Sequence, residues 1–527
     1  MPKRFNVTGV CIPEQNYMAD RNNKIQTMIR QYIHQGKYIT INRARQYGKT
    51  TLLYLLEQHL QHDYLVIRLS FEASDELFVS LYTLAAGLLR KFRRILRMQQ
   101  ASPALLEILE HPVSEQFPMD DLSERITLLC TQSRQKILLI IDEVDKSSDN
   151  QIFLSFLGLL RAKYLDSQQK KDRTFQSVIL AGVYDIKNLK LKLHPQEESK
   201  YNSPWNIAAD FTLDLRLKPE EIAEMLQEYE NDYATGMDLL QISQFIYDYT
   251  DGYPYLVSRI CQITDERLAD TAVFADRHAA WTPDGIAAAE QLLRQESNPL
   301  FDDLIKKITD HPKLKQMLQD ILFRGSSFPY EPENHLLQLG TTFGFLKNNH
   351  GTAMIANRIF ETKLYDLFLS ELAVENALYQ TGSIERSQYV AGGKLQMRMV
   401  LEKFCQHFTE LYHPDDEPFV EAYGRKLFLL YLKPIINGTG NYYIEAQTRD
   451  QKRTDIIVDY LGTRHIIELK IWHGNEYLKR GEKQLLEYLD YYHTNTGYLL
   501  SFNFNKHKKP GTREITLQGK HIFEVVV

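Results

Sequence analysis

The feature that most constrains the fold is a short apolar strand that leads into a glycine-containing loop and then a helix. Residues 37–42 (KYITIN) are predicted to form the strand, and residues 52–56 (LLYLL) begin the helix. The loop between them, residues 43–51, reads RARQYGKTT. A strand, a tight loop with Gly-Lys-Thr and a helix is the layout of a phosphate-binding loop, because loop amides and a helix N-terminus attract phosphate.

Within this loop, Lys49 is expected to reach the phosphate charge and Thr50 to ligate Mg²⁺ through its hydroxyl. The residues predicted to contact the nucleotide are Arg45, Gln46, Gly48, Lys49, Thr50 and Thr51. The pattern usually has a glycine five residues before Gly48, where this chain has Arg43. Since arginine adopts glycine's positive φ only with strain, we expect the loop to open differently. Arg43 or Arg45 could then add phosphate contacts.

A second apolar strand, residues 137–141 (ILLII), ends in Asp142 and Glu143. Ligands of open α/β sheets bind at the carboxyl ends of strands. Asp142 is therefore predicted to lie in the magnesium shell, and Glu143 to orient or deprotonate the attacking water. The strand at residues 177–181 leads to Tyr184 and Asp185, either of which could sense the γ-phosphate. Binding of ATP without useful hydrolysis remains an open alternative.

Composition restricts the class of protein. The 527 residues suit about three or four domains, and 43% hydrophobic with 25% charged residues is ordinary for globular chains. The four cysteines form no CxxC pair and no apolar run reaches about 20 residues, so we expect a cytoplasmic protein without a membrane span. The net charge of −6 argues against coating of nucleic acid by the whole surface, although it permits a local basic channel.

The chain divides into four predicted segments. Residues 1–216 alternate strands and helices, which predicts a multidomain α/β protein that begins with a parallel sheet. Residues 217–300 are helical, and residues 301–375 are helical with one β-like interruption. Residues 391–527 follow an α-β-β-β-α-β order that ends in a strand at 497–502, and the glycines of residues 381–393 predict a hinge before them.

The last segment holds a second candidate site, within residues 453–460 (RTDIIVDY) and 465–472 (HIIELKIW). Glu468 and Lys470 share one strand face because strand side chains alternate, and a hairpin can bring Asp455 beside Glu468. Two carboxylates and the Leu469 carbonyl would make an all-oxygen site for Mg²⁺ or Mn²⁺. Lys470 would then orient or deprotonate water that attacks a phosphodiester. Alternatively, Glu468 and Lys470 form an ion pair on a solvated sheet face.

The first region resembles the AAA-like ATPases of the P-loop class, akin to archaeal-type and STAND ATPases. That resemblance implies a helical lid over residues 217–300 and a winged helix over residues 301–375. Residues 250–257 (TDGYPYLV) look like the family's Gly-x-Pro element near the adenine, or else an ordinary helix N-terminus. An oligomer is also possible, in which Arg161 or Arg173 could act in trans, and the alternative for each is an ordinary surface residue.

Residues 391–527 resemble the PD-(D/E)xK superfamily, which has a restriction-endonuclease-like fold. Catalytic roles for Asp455, Glu468 and Lys470 follow from that resemblance as well. Glu421 matches the family's acidic residue on the first helix, and Gln484 its polar residue on the second. The remaining accessory candidate, an alternative metal ligand one strand earlier, is Glu445. The family's proline is absent, since Thr454 precedes Asp455.

Together the patterns predict an ATP-binding or ATP-hydrolysing regulator coupled to a metal-dependent nuclease, with ATP and Mg²⁺ or Mn²⁺ as cofactors. Nucleic acid is the expected partner, and DNA is favoured over RNA. The alternative is a signalling or scaffold ATPase whose tail only binds nucleic acid or protein. The segment 88–97 (LLRKFRRILR) is basic on one side, which suits nucleic acid, a protein partner or simply a solvated helix face.

Overall fold

The computed structural model describes residues 2–147, 151–183, 205–373, 376–411, 420–437, 439–444, 456–461, 463–471, 475–492, 494–504 and 510–527. The chain forms two compact units. Unit 1 comprises Met1–Tyr247, Gly252–Ala289 and Thr342–Gly344, and unit 2 comprises Asp248–Asp251, Glu290–Thr341 and Phe345–Val527. In these described ranges, no helix is both long and apolar enough to cross a membrane.

Unit 1 is built on a parallel sheet of β1 (Ile39–Asn42), β2 (Tyr64–Ser70), β3 (Lys136–Asp142) and β4 (Ser177–Gly182). The strand order is β1-β4-β3-β2, and every pair is parallel. Ala209 adds a parallel bridge to Ile39 on the other edge of β1. The predicted parallel sheet is therefore confirmed.

Helices cover both faces of this sheet, which explains why its strands are uniformly apolar. Ile137, Leu139 and Ile141 of β3 belong to one core cluster, whereas Leu138 and Ile140 belong to the other. Helices α8 and α11 begin in unit 1 and continue into unit 2. The helices in the described part of unit 1 are α1 (Asn22–Met28), α2 (Lys49–Leu60), α3 (Leu81–Met98), α4 (Pro103–Ile108), α5 (Pro118–Gln132), α6 (Gln151–Gln168), α7 (Pro219–Tyr233), α8 (Leu239–Thr250), α9 (Pro254–Ile263), α10 (Arg277–Ala280) and α11 (Pro283–Gln295).

The first part of unit 2 has helices followed by a hairpin. The helices are α12 (Pro299–Asp310), α13 (Pro312–Phe323) and α14 (His335–Thr342), the last of which ends in unit 1. The antiparallel hairpin consists of β5 (Leu346–Asn349) and β6 (Thr352–Ile355). Helices followed by a hairpin are compatible with a winged helix, and that assignment stays a prediction.

The rest of unit 2 contains a six-stranded mixed sheet of order β13-β14-β12-β11-β10-β9. Strands β9, β10 and β11 are antiparallel neighbours, whereas β11, β12 and β14 are parallel. The remaining elements of this part are α15 (Arg358–Ala373), α16 (Ala377–Glu385), β7 (Val390–Ala391), β8 (Lys394–Leu395), α17 (Met397–Leu411), α18 (Glu421–Ile436), β9 (Gly440–Ile444), β10 (Ile456–Tyr460), β11 (Thr463–Ile471), α19 (Asn475–Tyr491), β12 (Thr496–Phe502), β13 (Gly511–Leu517) and β14 (Lys520–Val526).

One expectation about this region was wrong. The strand at 497–502 is not the final strand, because β13 and β14 extend the sheet. Residues 381–393, predicted as a hinge, form the end of α16, a 3₁₀ turn, strand β7 and a turn in which Gly392 and Gly393 have positive φ, and the hinge stays a prediction. Glu385 at the end of α16 accepts a hydrogen bond of 2.9 Å from the Tyr431 hydroxyl, which ties this segment to α18.

Candidate functional site

The phosphate-binding loop connects β1 to α2. Gly48 precedes the helix with φ +80°, a conformation that other residues adopt only with strain. The Lys49 ammonium is buried (8% exposed) and donates to the carbonyls of Arg43 at 2.9 Å and Ala44 at 2.8 Å. The lysine charge thus lies within the loop, and Thr50 follows it in the first turn of α2.

Arg43 begins the loop without a positive φ, which agrees with the expectation that arginine does not adopt glycine's conformation here. The guanidinium donates to the Phe211 carbonyl at 3.3 Å and the Leu213 carbonyl at 3.2 Å, and it lies over the Phe211 ring. Arg43 therefore fastens the start of the loop to the chain beside β1. The Arg45 side chain, by contrast, is exposed.

Acidic residues lie at the carboxyl end of β3. Asp142 is buried (5% exposed), and its Oδ1 accepts a hydrogen bond of 3.0 Å from the Glu143 amide. Burial raises the pKa of Glu143, the carboxylates of Asp145 and Asp142 raise it further, and Lys49 opposes them. The charge of Lys49 is thus close enough to act on Glu143, so the structure brings the two motifs to one site.

Asp145 was not singled out from the sequence, although it lies in the same acidic run. Its Oδ1 accepts a hydrogen bond of 3.1 Å from the Val183 amide, just beyond the end of β4. Asp145 therefore joins the ends of β3 and β4. The two sensor candidates that follow, Tyr184 and Asp185, lie outside the described residues.

The predicted Gly-x-Pro element contacts the loop. The Tyr253 hydroxyl donates to the Arg45 carbonyl, and the rings of Tyr253 and Tyr47 pack edge to face with centroids 4.9 Å apart. Pro254 is also the first residue of α9. The segment is therefore a helix N-terminus that lies against the loop, and its predicted place near the adenine stays a prediction.

Beside the loop, unit 1 has a small cleft with a cavity volume of ≈ 70 Å³. Its apolar lining includes Met18, Leu52, Leu215, Leu217, Met225 and Pro254. Cys11 and Arg21 also line it, and the Cys11 amide donates to the Thr51 hydroxyl at 3.1 Å. Sequence reasoning missed the contribution of residues 11–24, which carry no motif and reach the loop only through folding.

A second glycine approaches the loop from a distant part of the chain. A Cβ added at Gly344 would lie 2.9 Å from the Ala44 Cβ and 3.6 Å from the Tyr253 ring, and Gly344 has φ +81°. Only glycine lets the backbone of residues 342–344 come this close without displacing the loop.

In unit 2, Glu468 and Lys470 lie side by side on β11. The Lys470 Nζ is 2.6 Å from the Glu468 Oε1, and the two side chains are 5% and 0% exposed. The alternative of an ion pair on a solvated face is therefore wrong, because the pair is buried. Gly481 of α19 makes room for it, since a Cβ there would lie 3.0 Å from the Lys470 Cγ.

The accessory candidates fall in different places. Glu421 begins α18, and its Oε1 is 3.5 Å from the Ile471 amide at the end of β11. Gln484 is half-buried on α19, one turn after Gly481 and hence on the same helix face. Asp455 and Glu445 lie outside the described residues. Among the residues that are described, no three or more His, Cys, Asp or Glu side chains form a metal-binding group.

A polar set next to this pair was also missed, because it depends on β14 and β13. Ser501 is aligned with Lys470 in the β11–β12 register, and its hydroxyl donates to the Glu524 Oε1 at 2.9 Å. Arg513 donates to the other Glu524 oxygen at 2.8 Å. Glu524 is thus a buried carboxylate with two partners on the same sheet.

Comparison with known protein families gives a match that covers unit 1 and part of unit 2. A model described as the AAA-like domain matches residues 10–368. The Walker-type ATPase of Pyrococcus abyssi is 14% identical with a TM-score of 0.45, over 68% of this chain and 99% of that chain. The Aeropyrum pernix ORC2 protein in its ADPNP-ADP complexes is 12% identical with a TM-score of 0.38, over 70% and 98%.

The RuvB Holliday junction branch migration motor of Thermotoga maritima is 13% identical with a TM-score of 0.32, over 67% of this chain and 96% of that chain. No curated protein sequence matches the chain. The family assignment rests on the domain match, which spans more than half of the 527 residues. The chain therefore belongs to the AAA-like domain family and contains a P-loop ATPase domain of that type.

Proposed function

We propose that the chain binds and hydrolyses ATP in unit 1, and that this turnover regulates a metal-dependent nuclease in the tail of unit 2. The ATPase part is supported by the convergence of Lys49, Asp142 and Glu143 at the carboxyl edge of the sheet. The nuclease part depends on one observation, the buried Glu468–Lys470 pair at 2.6 Å on a central strand.

In the ATPase site, the triphosphate is held by the loop amides and by Lys49, whose ammonium exchanges the Arg43 and Ala44 carbonyls for phosphate oxygens. The Thr50 hydroxyl and the buried Asp142 carboxylate are oxygen donors of the kind that Mg²⁺ prefers, so these residues fit the ion and would hold it. Mg²⁺ supplies neutralisation of the phosphate charge when bound. Glu143, with its raised pKa, accepts the proton of the attacking water.

In the tail, the oxygen-donor chemistry of Glu468 and Glu421 fits Mg²⁺ or Mn²⁺, and Asp455 is proposed to complete the set. Such an ion supplies activation of water and of the phosphodiester when bound. Lys470 keeps its ammonium beside Glu468, from where it orients the water or stabilises negative charge on the phosphate. The polymer is proposed to be DNA, and RNA is the comparison substrate.

The test is cleavage of plasmid DNA and of an RNA of similar length in Mg²⁺ or Mn²⁺, with and without ATP. We expect cutting to be lost in Lys470→Ala, and ATP-dependence of cutting to be lost in Lys49→Ala. Lys433→Ala is the matched control, because Lys433 is another lysine of unit 2 in an ion pair, 3.3 Å from Asp366. Cutting that survives in Lys470→Ala would contradict the proposed site.

A second candidate is a signalling or scaffold ATPase whose tail only binds nucleic acid or a protein. The observation that favours it is the burial of Glu468 and Lys470, which leaves little of the pair open to a substrate. Phosphate release without cutting, across both metals and both polymers, would support this candidate over the nuclease. Light scattering with and without ATP would show whether either activity accompanies assembly into an oligomer.

A further inference from the structure

Helix α3 of unit 1 carries a cationic stripe that the ATPase site does not use. The residues from 77 to 106 include Arg90, Lys91, Arg93, Arg94 and Arg97 and no Asp or Glu, although acidic residues outnumber basic ones in the chain as a whole (68 against 62). A helix with five cations and no anions concentrates positive potential along its length.

The orientation of α3 is set by its apolar face. Leu84, Leu88, Phe92 and Leu96 are completely buried in the core of unit 1. The helix start is stabilised by a capping box, in which the Thr83 amide donates to the Ser80 hydroxyl at 3.1 Å. The apolar face of the helix is therefore packed in the core, and the opposite face is directed away from the core.

The cations of α3 are divided between internal contacts and the surface. Lys91 donates to the Ser74 hydroxyl at 3.2 Å, and Arg93 pairs with Glu110. Arg90, Arg94 and Arg97 are exposed, and none of the described carboxylates lies within ion-pair distance of them. Positions four and three residues apart share one helix face, so the three guanidinium groups form a stripe about 10 Å long.

We propose that this stripe, Arg90, Arg94 and Arg97, binds the phosphate backbone of nucleic acid. Measured along the axis of a duplex, a length of about 10 Å corresponds to about three base-pair steps of about 3.4 Å each. Guanidinium groups also match phosphate oxygens in geometry, which explains the use of arginine at all three positions.

The same structure disfavours a membrane surface as the partner. An amphipathic helix binds a bilayer through its apolar face, and here that face is packed inside unit 1. The inference goes beyond the proposed function, since binding at α3 requires neither ATP hydrolysis nor cutting. A failure of the nuclease proposal would leave it standing.

The test is fluorescence anisotropy of the full chain with labelled 30-nucleotide single strands and 30-base-pair duplexes. EDTA is present, so that no metal-dependent cutting occurs, and salt is varied from 50 to 200 mM. The test variant carries Arg90→Ala, Arg94→Ala and Arg97→Ala together. We expect the slope of log K, the binding constant, against log salt concentration to be smaller in magnitude by about 2 to 3 in this variant. Its affinity at 100 mM salt should fall about tenfold or more.

The matched control replaces three other exposed cations of unit 1, Arg134, Lys136 and Lys171, by alanine, with the same change in net charge. It should keep the wild-type slope. A triple Arg-to-Lys variant of the stripe should keep most of the slope as well, which shows that charge rather than a folding defect is measured. Equal slopes for the wild-type chain and the stripe's alanine variant would overturn the proposal. Equal losses in the stripe and control variants, or vesicles of phosphatidylserine that bind through the stripe while DNA does not, would overturn it too.

Discussion

We expect His465 to make the strand of the tail site sensitive to acid. It lies on β11, three residues before Glu468, and its side chain is buried. Burial lowers the pKa of His465 from 6.5 to about 4. The neutral imidazole is therefore favoured in the folded state, whereas the unfolded chain binds a proton at an ordinary pKa.

The size of the stability loss follows from the linkage between proton binding and folding. Between pH 6.5 and pH 4 the unfolded state binds more protons than the folded state, so stability rises with pH and is lost as pH falls through this window. A pKa lowered from 6.5 to about 4, at about 1.36 kcal/mol for each tenfold change in proton affinity, corresponds to a loss of about 3 kcal/mol of stability below pH 4. At pH 5 the loss is about 2 kcal/mol, since most unfolded chains but few folded ones are protonated.

The test variant is His465→Leu, in which an apolar side chain fills the buried site and no group there can take up a proton. The measurement is native-state hydrogen exchange in peptides from β11 and β12, corrected for the intrinsic effect of pH on exchange, between pH 7.5 and 5. We expect the opening free energy of the wild-type strand to fall by about 2 kcal/mol relative to the variant. His521→Leu, at an exposed histidine of the same sheet, should follow the wild type. Parallel pH curves for the wild type and His465→Leu would refute the reasoning.

Three other predictions concern the two sites. Glu143→Gln should abolish phosphate release. It should also raise the unfolding free energy at pH 7 but not at pH 4, because the raised pKa of Glu143 means that its ionisation destabilises the folded state once the pH exceeds the pKa of the unfolded chain. Denaturant titrations at both pH values measure this difference. Gly344→Ala should weaken ATP binding in titrations, because the added Cβ would meet the phosphate-binding loop. Gly351 has a similar φ but open space around it, so Gly351→Ala should cost only about 1 kcal/mol of stability. Equal ATP affinities of the two variants would contradict this prediction. Lys470→Ala should lower the unfolding free energy by about 3–5 kcal/mol in urea titrations, since it removes the ammonium beside the buried Glu468. A loss below about 1 kcal/mol would show that the pair is not structurally important.

Local patterns in the sequence were sufficient to predict the ATPase core. The strand-loop-helix around Lys49 and the apolar strand before Asp142 are contiguous, and a parallel sheet aligns their carboxyl ends at one edge. The shared face of Glu468 and Lys470 follows from strand alternation in the same way. In each case a few neighbouring residues contain all the information that is needed.

Contacts between distant segments were decided only by the tertiary structure. The direction of Arg43 depends on Phe211 and Leu213, and the approach of Gly344 to the loop joins residues about 300 positions apart. The burial of the Glu468–Lys470 pair likewise depends on α19 and its glycine. Periodicity shows which side of an element is apolar, because that depends on the spacing of its own residues. It does not show what packs there, because that depends on how the whole chain closes around its core.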